Sequence, residues 1–373
     1  MSRLIVALYV LSIPFFDVPR IGIKGIALSF YLALFILVIS LFKKVPVKRD
    51  FLFSILLFLI FLCLYSFSGV LNFTVVEFPE KSLNHILYYI ISFFTYYVAI
   101  YLSVLLIGWK DFCRYIVYGF YLIAMIGVVE LSFYFIYGYS AYANFLNHDQ
   151  NVGTTMHLPR MRSTFNEPSH LAIYLLSILP ILYNKFKHKL CYVFVLMSTL
   201  SSAAFFGIAS SFLVLNLLKP IEFKKLKAVF SSFFIILFGL VGLYFMSDTQ
   251  LIQKIVNVSQ HDSTRYDAII KSLDYISDSV FFGHGPSFYY NYFDFGLFNL
   301  YLQLYIESGL LGLTTFLLFV FYHFFRLDKN FVLVRTSILS IFFLYFAMDH
   351  YYIPGIWLVL SISLFHRSEK SIK

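Results

Sequence analysis

The densest chemistry in the chain lies in one stretch, Pro159-Arg160-Met161-Arg162-Ser163-Thr164-Phe165-Asn166-Glu167-Pro168-Ser169-His170. Two arginines, a glutamate and a histidine stand there at the mouth of an apolar run. Pro168 suits the first turn of a helix, where its missing N–H costs nothing, and it leaves the next amides pointing outward. A helix N-terminus flanked by arginines is a ready anion site, and arginine grips phosphate in bidentate fashion. The alternative for Arg160 and Arg162 is snorkelling to lipid headgroups, a habit found mostly on the cytoplasmic side of membranes.

A second group lies further along. It starts at Thr264-Arg265-Tyr266-Asp267, in a stretch that suits a short amphipathic segment, and continues through Gly283-His284-Gly285-Pro286 to the aromatic run Phe288-Tyr289-Tyr290-Asn291-Tyr292-Phe293. Asn299, Gln303 and Glu307 then recur every four residues, so they share one face of a helix. The opposite face is apolar, which lets such a helix dip into a membrane while its polar edge lines a cavity. Gly309 and Gly312 permit a bend and close helix packing, or serve packing alone. Exposed rings such as Tyr289, Tyr290 and Tyr292 beside carboxylates suit sugar binding, the pyranose C–H face against the ring. An interfacial aromatic belt is the other reading of them. Glu130 falls inside an apolar run, where an ionisable group is a functional candidate by default. It could also lie near the outer interface or be neutral. Asp349 and His350 stand at the outer end of another run and could join the same site.

Other chemistries leave no trace. There is no Gly-rich phosphate loop, HExxH or GxSxG, and no DxD in an outer loop. The cysteines, Cys63, Cys113 and Cys191, avoid both loops and show no Cys–His metal spacing. The expectation is no metal, no cofactor and no disulfide framework.

What must position these residues is a membrane scaffold. Of 373 residues 60% are hydrophobic and 13% charged, far from the composition of a soluble enzyme. With about 20 apolar residues per span, apolar runs at 4–17, 22–42, 51–70, 86–107, 115–137, 168–184, 190–201, 203–218, 228–246, 308–325, 331–348 and 352–366 predict twelve transmembrane helices. The first run follows Arg3 and precedes no small-x-small cleavage site, so it reads as an uncleaved helix. The run over 190–218 is divided at the polar break Ser198, Ser201, Ser202. With both termini in the cytoplasm, 20 of the 28 Lys and Arg fall on the cytoplasmic side and 14 of the 19 Asp and Glu fall elsewhere. That is the positive-inside rule. The net charge of +9 is therefore a topology signal and no sign of nucleic acid. The chain reads as a single all-α integral membrane domain, 1–373, with two long outer loops at 138–167 and 247–307. Loops of that length are functional or disordered, and these are rich in Tyr, Phe and Gly without charge runs.

Three stretches carry a resemblance. They are Arg162-Ser163-Thr164-Phe165-Asn166-Glu167-Pro168-Ser169, Arg265 followed by Gly283-His284-Gly285, and Asn299 through Glu307-Ser308-Gly309-Leu310-Leu311-Gly312. With the span count and the large second loop, they resemble the O-antigen polymerase and O-antigen ligase superfamily of bacterial polysaccharide assembly. The resemblance implies a metal-independent, GT-C-like glycosyltransferase at the periplasmic face of the inner membrane. Its substrates would be undecaprenyl-diphosphate-linked oligosaccharides, and its partners membrane lipid and a chain-length regulator protein. Arg160, Arg162 and Arg265 would hold the donor diphosphate and support the leaving group. Glu167, then His284, are the candidates for the general base. Asn299, Gln303, Glu307, Tyr289 and Tyr290 would receive the acceptor sugar.

In ligases of this superfamily the second-loop helix begins with His-Asn. Here Phe298 precedes Asn299, which favours a Wzy-type polymerase. The Ser198–Ser202 break resembles the family's Thr-x-Ser-Arg turn without its arginine. The alternatives are ligation to lipid A-core, polymerisation of capsule or exopolysaccharide, and a lipid-linked-sugar flippase or transporter. Transporters show inverted repeats and charged or broken helices at the midplane. Here the charges gather in two loops and the halves do not match, so an enzyme is favoured.

Overall fold

The computed structural model of the protein describes residues 2–16, 27–73, 79–138, 154–155, 158–183, 186–217, 279–289, 299–348 and 352–366, with the single positions 272, 275 and 297. Among these the regular elements are helices apart from one two-residue antiparallel pair, β1 (Thr154–Thr155) with β2 (Leu158–Pro159). An apolar chain in lipid must satisfy its backbone internally, and a helix does so within one segment. In order come α1 (Ser2–Ser12), α2 (Leu28–Phe42), α3 (Arg49–Leu71), α4 (Pro79–Ile107) and α5 (Trp109–Tyr137). They are followed by α6 (Pro168–Leu182), α7 (Phe186–Ser198), α8 (Ser202–Leu217), α9 (Leu300–Phe325), α10 (Val332–Leu344) and α11 (Pro354–Ser363).

Four of these, α3, α4, α5 and α9, are long and apolar enough to cross a membrane, and the others are shorter apolar helices. Eleven of the twelve expected runs coincide with a helix. The twelfth, 228–246, lies outside the described residues. The expected polar break is present: α7 stops at Ser198, Leu200 turns through a positive φ of 46°, and α8 starts at Ser202.

Side-chain contacts identify one end of the bundle. Lys43 Nζ reaches Ser2 Oγ (3.0 Å), Arg3 pairs with Asp111 (3.8 Å) and Asp50 pairs with Arg326 (2.9 Å). These join the starts of α1, α3 and α5 to the ends of α2 and α9. The polar stretches at 158–167 and 279–289 belong to the other end, beyond α5 and ahead of α6 and α9.

The core centres on α11, which is buried along its whole length. Trp357 packs among Phe58 of α3, Phe93 of α4 and Phe319 of α9, at centroid distances of 5.6–6.1 Å. A π turn over Phe94–Val98 interrupts α4 here, and Ser361 Oγ bonds the Tyr97 carbonyl within it (3.0 Å). The buried histidine of this core finds both its partners within the protein. His323 meets the Tyr97 hydroxyl through Nε2 (3.2 Å) and Ser363 Oγ through Nδ1 (2.8 Å). Small residues bring α8 against α10, where a Cβ on Gly207 would lie 2.4 Å from the Ser340 carbonyl oxygen.

One boundary differs from expectation. The second loop was expected to run to residue 307, yet α9 begins at Leu300. Asn299 is its N-cap, accepting at Oδ1 from the Tyr301 and Leu302 amides (3.1 Å each). The Asn–Gln–Glu stripe therefore opens a 26-residue helix that continues past a break at Gly309.

Candidate functional site

The arginine segment is built around a buried carboxylate. Glu130 of α5 is fully buried, and its Oε2 accepts the backbone amides of Arg162 (2.8 Å) and Ser163 (2.7 Å). Arg162 Nε donates to the other oxygen at 2.9 Å, and Arg162 is itself fully buried. Ser163 takes a positive φ of 56°, so two successive N–H groups converge on one anion. This is the concavity that elsewhere cradles phosphate, and here the protein's own glutamate fills it. Ser163 Oγ (to the Ile123 carbonyl) and Thr164 Oγ1 (to the Pro14 carbonyl) fix the turn further, at 2.6 Å each. Arg162, expected as a diphosphate ligand, thus lies behind the surface, bonded to Glu130.

Arg160 is half-buried and donates from Nε to the Thr199 carbonyl (3.2 Å), beside the bond from Met161 N to the Ser198 carbonyl (2.8 Å). The serine-rich turn between α7 and α8 therefore seats the arginine segment. Glu167 precedes Pro168, the first residue of α6 as expected, and its side chain is 36% exposed. Ser169 Oγ donates to its Oε2 (2.9 Å), and His170 Nε2 stands 3.9 Å from the same oxygen.

The second group gathers at the break in α9. Gly309 has φ 66° and ψ −168°, a conformation reserved for glycine. The break releases the Ile306 and Glu307 carbonyls and the Leu310 and Leu311 amides, and residues 280–285 satisfy all four. His284 N donates to Ile306 O (2.8 Å) and Gly285 N to Glu307 O (2.9 Å). In return, Leu310 N donates to Val280 O (2.8 Å) and Leu311 N to Phe281 O (3.3 Å). The approach excludes side chains: a Cβ on Gly283 would lie 2.6 Å from Gly309 N, and one on Gly309 2.3 Å from the Phe281 carbonyl. Ser68 and Asn72 at the end of α3 hold the Glu307 and Gly283 carbonyls (2.7 and 3.1 Å), and Ser82 of α4 holds that of Pro286 (2.6 Å).

His284 sits on this docked loop. Its Nε2 lies 2.8 Å from the Tyr275 carbonyl, which can only accept, so Nε2 carries the hydrogen and Nδ1 keeps the basic lone pair of the neutral ring. The imidazole stacks on Phe288 at 4.6 Å.

Gln303 and Glu307 share a helix face as expected, with Gln303 Nε2 donating to Glu307 Oε1 (3.2 Å), and both are buried. Two residues missed in the sequence complete this cluster. The Tyr65 hydroxyl donates to Glu307 Oε2, and His85 Nδ1 lies 3.3 Å from that hydroxyl and 3.8 Å from the carboxylate. Tyr65 was hidden within an apolar run. His85 closes the polar start of α4, Glu80-Lys81-Ser82-Leu83-Asn84-His85, and that polarity at the edge of an apolar run was its one available signal.

Two expectations are corrected. Asn299 caps α9 through Oδ1 and does not extend the stripe as a free ligand. Tyr289, expected among exposed rings, is buried with Phe288, Leu297 and Ile306. Arg265, Tyr290, Tyr292, Asp349 and His350 lie outside the described residues.

A family model described as O-Antigen ligase matches residues 189–317. The matched stretch holds most of α7, all of α8, the His284 loop and α9 through its break, and it supports the O-antigen polymerase and ligase superfamily. The Arg160–Glu167 segment, Tyr65 and His85 lie before it. No curated protein matches the chain.

Proposed function

We propose that this protein is a Wzy-type O-antigen polymerase, joining undecaprenyl-diphosphate-linked repeat units at the periplasmic face of the inner membrane. In the reaction, the bond between the anomeric carbon and the diphosphate oxygen of the donor breaks, and its electron pair leaves with the diphosphate. The acceptor hydroxyl oxygen forms the new glycosidic bond and gives its proton to a base. Arg160 and Arg265 steady the leaving diphosphate, while Arg162 holds the segment to Glu130. For the base, the Nδ1 lone pair of His284 supports that residue, and partial exposure supports Glu167.

The observation that carries this reading is the His284 loop docked on the broken α9, inside the stretch matched by the family model. Such a break brings irregular backbone to membrane depth only where protein surrounds it or a cavity adjoins it. Twelve spans, a GT-C-like arrangement and cytoplasmic termini belong to the same proposal.

Ligation to lipid A-core is the second reading, favoured by the O-Antigen ligase family whose model matches residues 189–317. Phe298 in place of the ligases' histidine favours polymerisation. A gel of surface polysaccharide from a deletion strain separates them. Loss of the polymerase turns a ladder of long chains into cores bearing one repeat unit. Loss of a ligase strips every repeat unit from the core, and that outcome would overturn the polymerase assignment.

A further inference from the structure

The cluster around Glu307 contains an acceptor that the described protein does not satisfy. Gln303 is 1% exposed, and its Oε1 has no hydrogen-bond partner among the described residues. The amide orientation is fixed by chemistry: Nε2 faces Glu307 Oε1 at 3.2 Å, and exchanging the two ends would set oxygen against carboxylate. An orphaned buried acceptor calls for a donor. The neighbours narrow its class. The Glu307 carboxylate is already answered by Gln303 Nε2, by the Tyr65 hydroxyl and by the imidazole of His85 at 3.8 Å. A neutral donor therefore fits better than a further cation. His85 is the one member of this group with real exposure, its side chain being 14% accessible, so the group meets the surface only at the start of α4.

We infer that Gln303, Glu307, Tyr65 and His85 form a hydroxyl-recognition subsite for the acceptor sugar, in which Gln303 Oε1 receives the sugar O–H. Tyr65 and His85 are positioning residues. The Tyr65 hydroxyl, lying between His85 Nδ1 and Glu307 Oε2, accepts from the first and donates to the second. It thereby holds the carboxylate, and through it Gln303, in place. Because Glu307 O also receives Gly285 N, the subsite is tied by backbone to the loop of His284. The inference rests on the glycosyltransferase reading for its ligand class.

The test is calorimetric binding of a free oligosaccharide repeat unit, cut from the lipid carrier by mild acid, to the full-length protein in detergent. Gln303→Leu weakens binding about tenfold, the effect of one hydrogen bond to a buried amide, and Gln303→Asn weakens it similarly by withdrawing the oxygen one methylene. Tyr65→Phe and His85→Gln weaken it about threefold. Thermal melts identify any variant that has lost its fold, and Tyr65→Phe decides if both Gln303 variants have. Parental affinity in a folded Gln303 variant, or in Tyr65→Phe, overturns the inference, as does a parent that does not bind the oligosaccharide. Failure of the parent to polymerise lipid-linked units while Gln303-dependent binding persists would instead overturn the polymerase reading alone.

Discussion

Arg162 and Glu130 bear on how mutations in the arginine segment should be read. Both are fully buried, and removing one partner leaves the other uncompensated in a low-dielectric interior. Arg162→Ala is therefore expected to destabilise the protein by about 3–5 kcal/mol, seen as a lowered melting temperature in detergent. The double change Glu130→Gln with Arg162→Met should recover part of that loss, and a double variant no more stable than Arg162→Ala would contradict the pairing. Loss of activity in Arg162→Ala is thus no evidence of phosphate contact. Arg160 gives the cleaner test, because it is only half-buried and its Nε serves one carbonyl. Arg160→Ala should melt within about 1 kcal/mol of the parent yet raise the donor KM roughly tenfold, the loss of one charge-assisted contact. An unchanged donor KM removes Arg160 from the diphosphate site. Glu130 stood out in the sequence as a lone carboxylate in an apolar run. Arg162 stood out too, as a diphosphate ligand, but its pairing with Glu130 was not legible, because the two lie 32 residues apart and only the fold closes that gap.

The broken helix shows what an element can hide. Four-residue spacing revealed the face shared by Gln303 and Glu307, and Gly309 was read as a bend or a packing position. What spacing could not reveal is that the bend frees four backbone groups, or that the Gly283-His284-Gly285 turn is shaped to bond them. Sequence periodicity reports side-chain faces and is silent about where main-chain donors go. Asn299 misled for the same reason: its four-residue offset fitted the stripe, while its chemistry made it the cap. Gly283→Ala and Gly309→Ala each place a Cβ inside the facing backbone and force a residue with a side chain to a positive φ. Each should cost roughly 1–3 kcal/mol from backbone strain alone. The loss should appear as faster hydrogen exchange at His284, Gly285, Leu310 and Leu311, with the amides of α3 still protected. Uniform acceleration across the protein would mean that the glycines serve global packing, the other reading of Gly309.

At the scale of the whole molecule, the helices divide into two kinds. The 23 residues of α3 span about 35 Å, enough for the roughly 30 Å hydrocarbon core, while the 10 residues of α11 reach only about 15 Å. A helix that short leaves its ends within the apolar layer, where unmet backbone groups are costly. Complete burial of α11 among longer helices is the arrangement that tolerates it. Hydropathy located these short helices but could not distinguish a lipid-facing span from a shielded one, since both read as apolar runs. Charge adds what hydropathy lacks, a direction. The ion pairs of Asp50 and Asp111 gather at the end that also carries the basic stretch from Lys43 to Arg49. In the orientation proposed above, for which the positive-inside rule speaks, that end faces the cytoplasm and the end bearing His284 and Glu167 faces outward. Lys44 and Phe73 flank α3 on opposite sides, and both are exposed. In a background freed of Cys63, Cys113 and Cys191, a membrane-impermeant maleimide applied to intact spheroplasts should label Phe73→Cys. It should reach Lys44→Cys only after permeabilisation. The reverse pattern would put both candidate loops in the cytoplasm, away from any lipid-linked sugar presented outside, and the polymerase reading would fail with it.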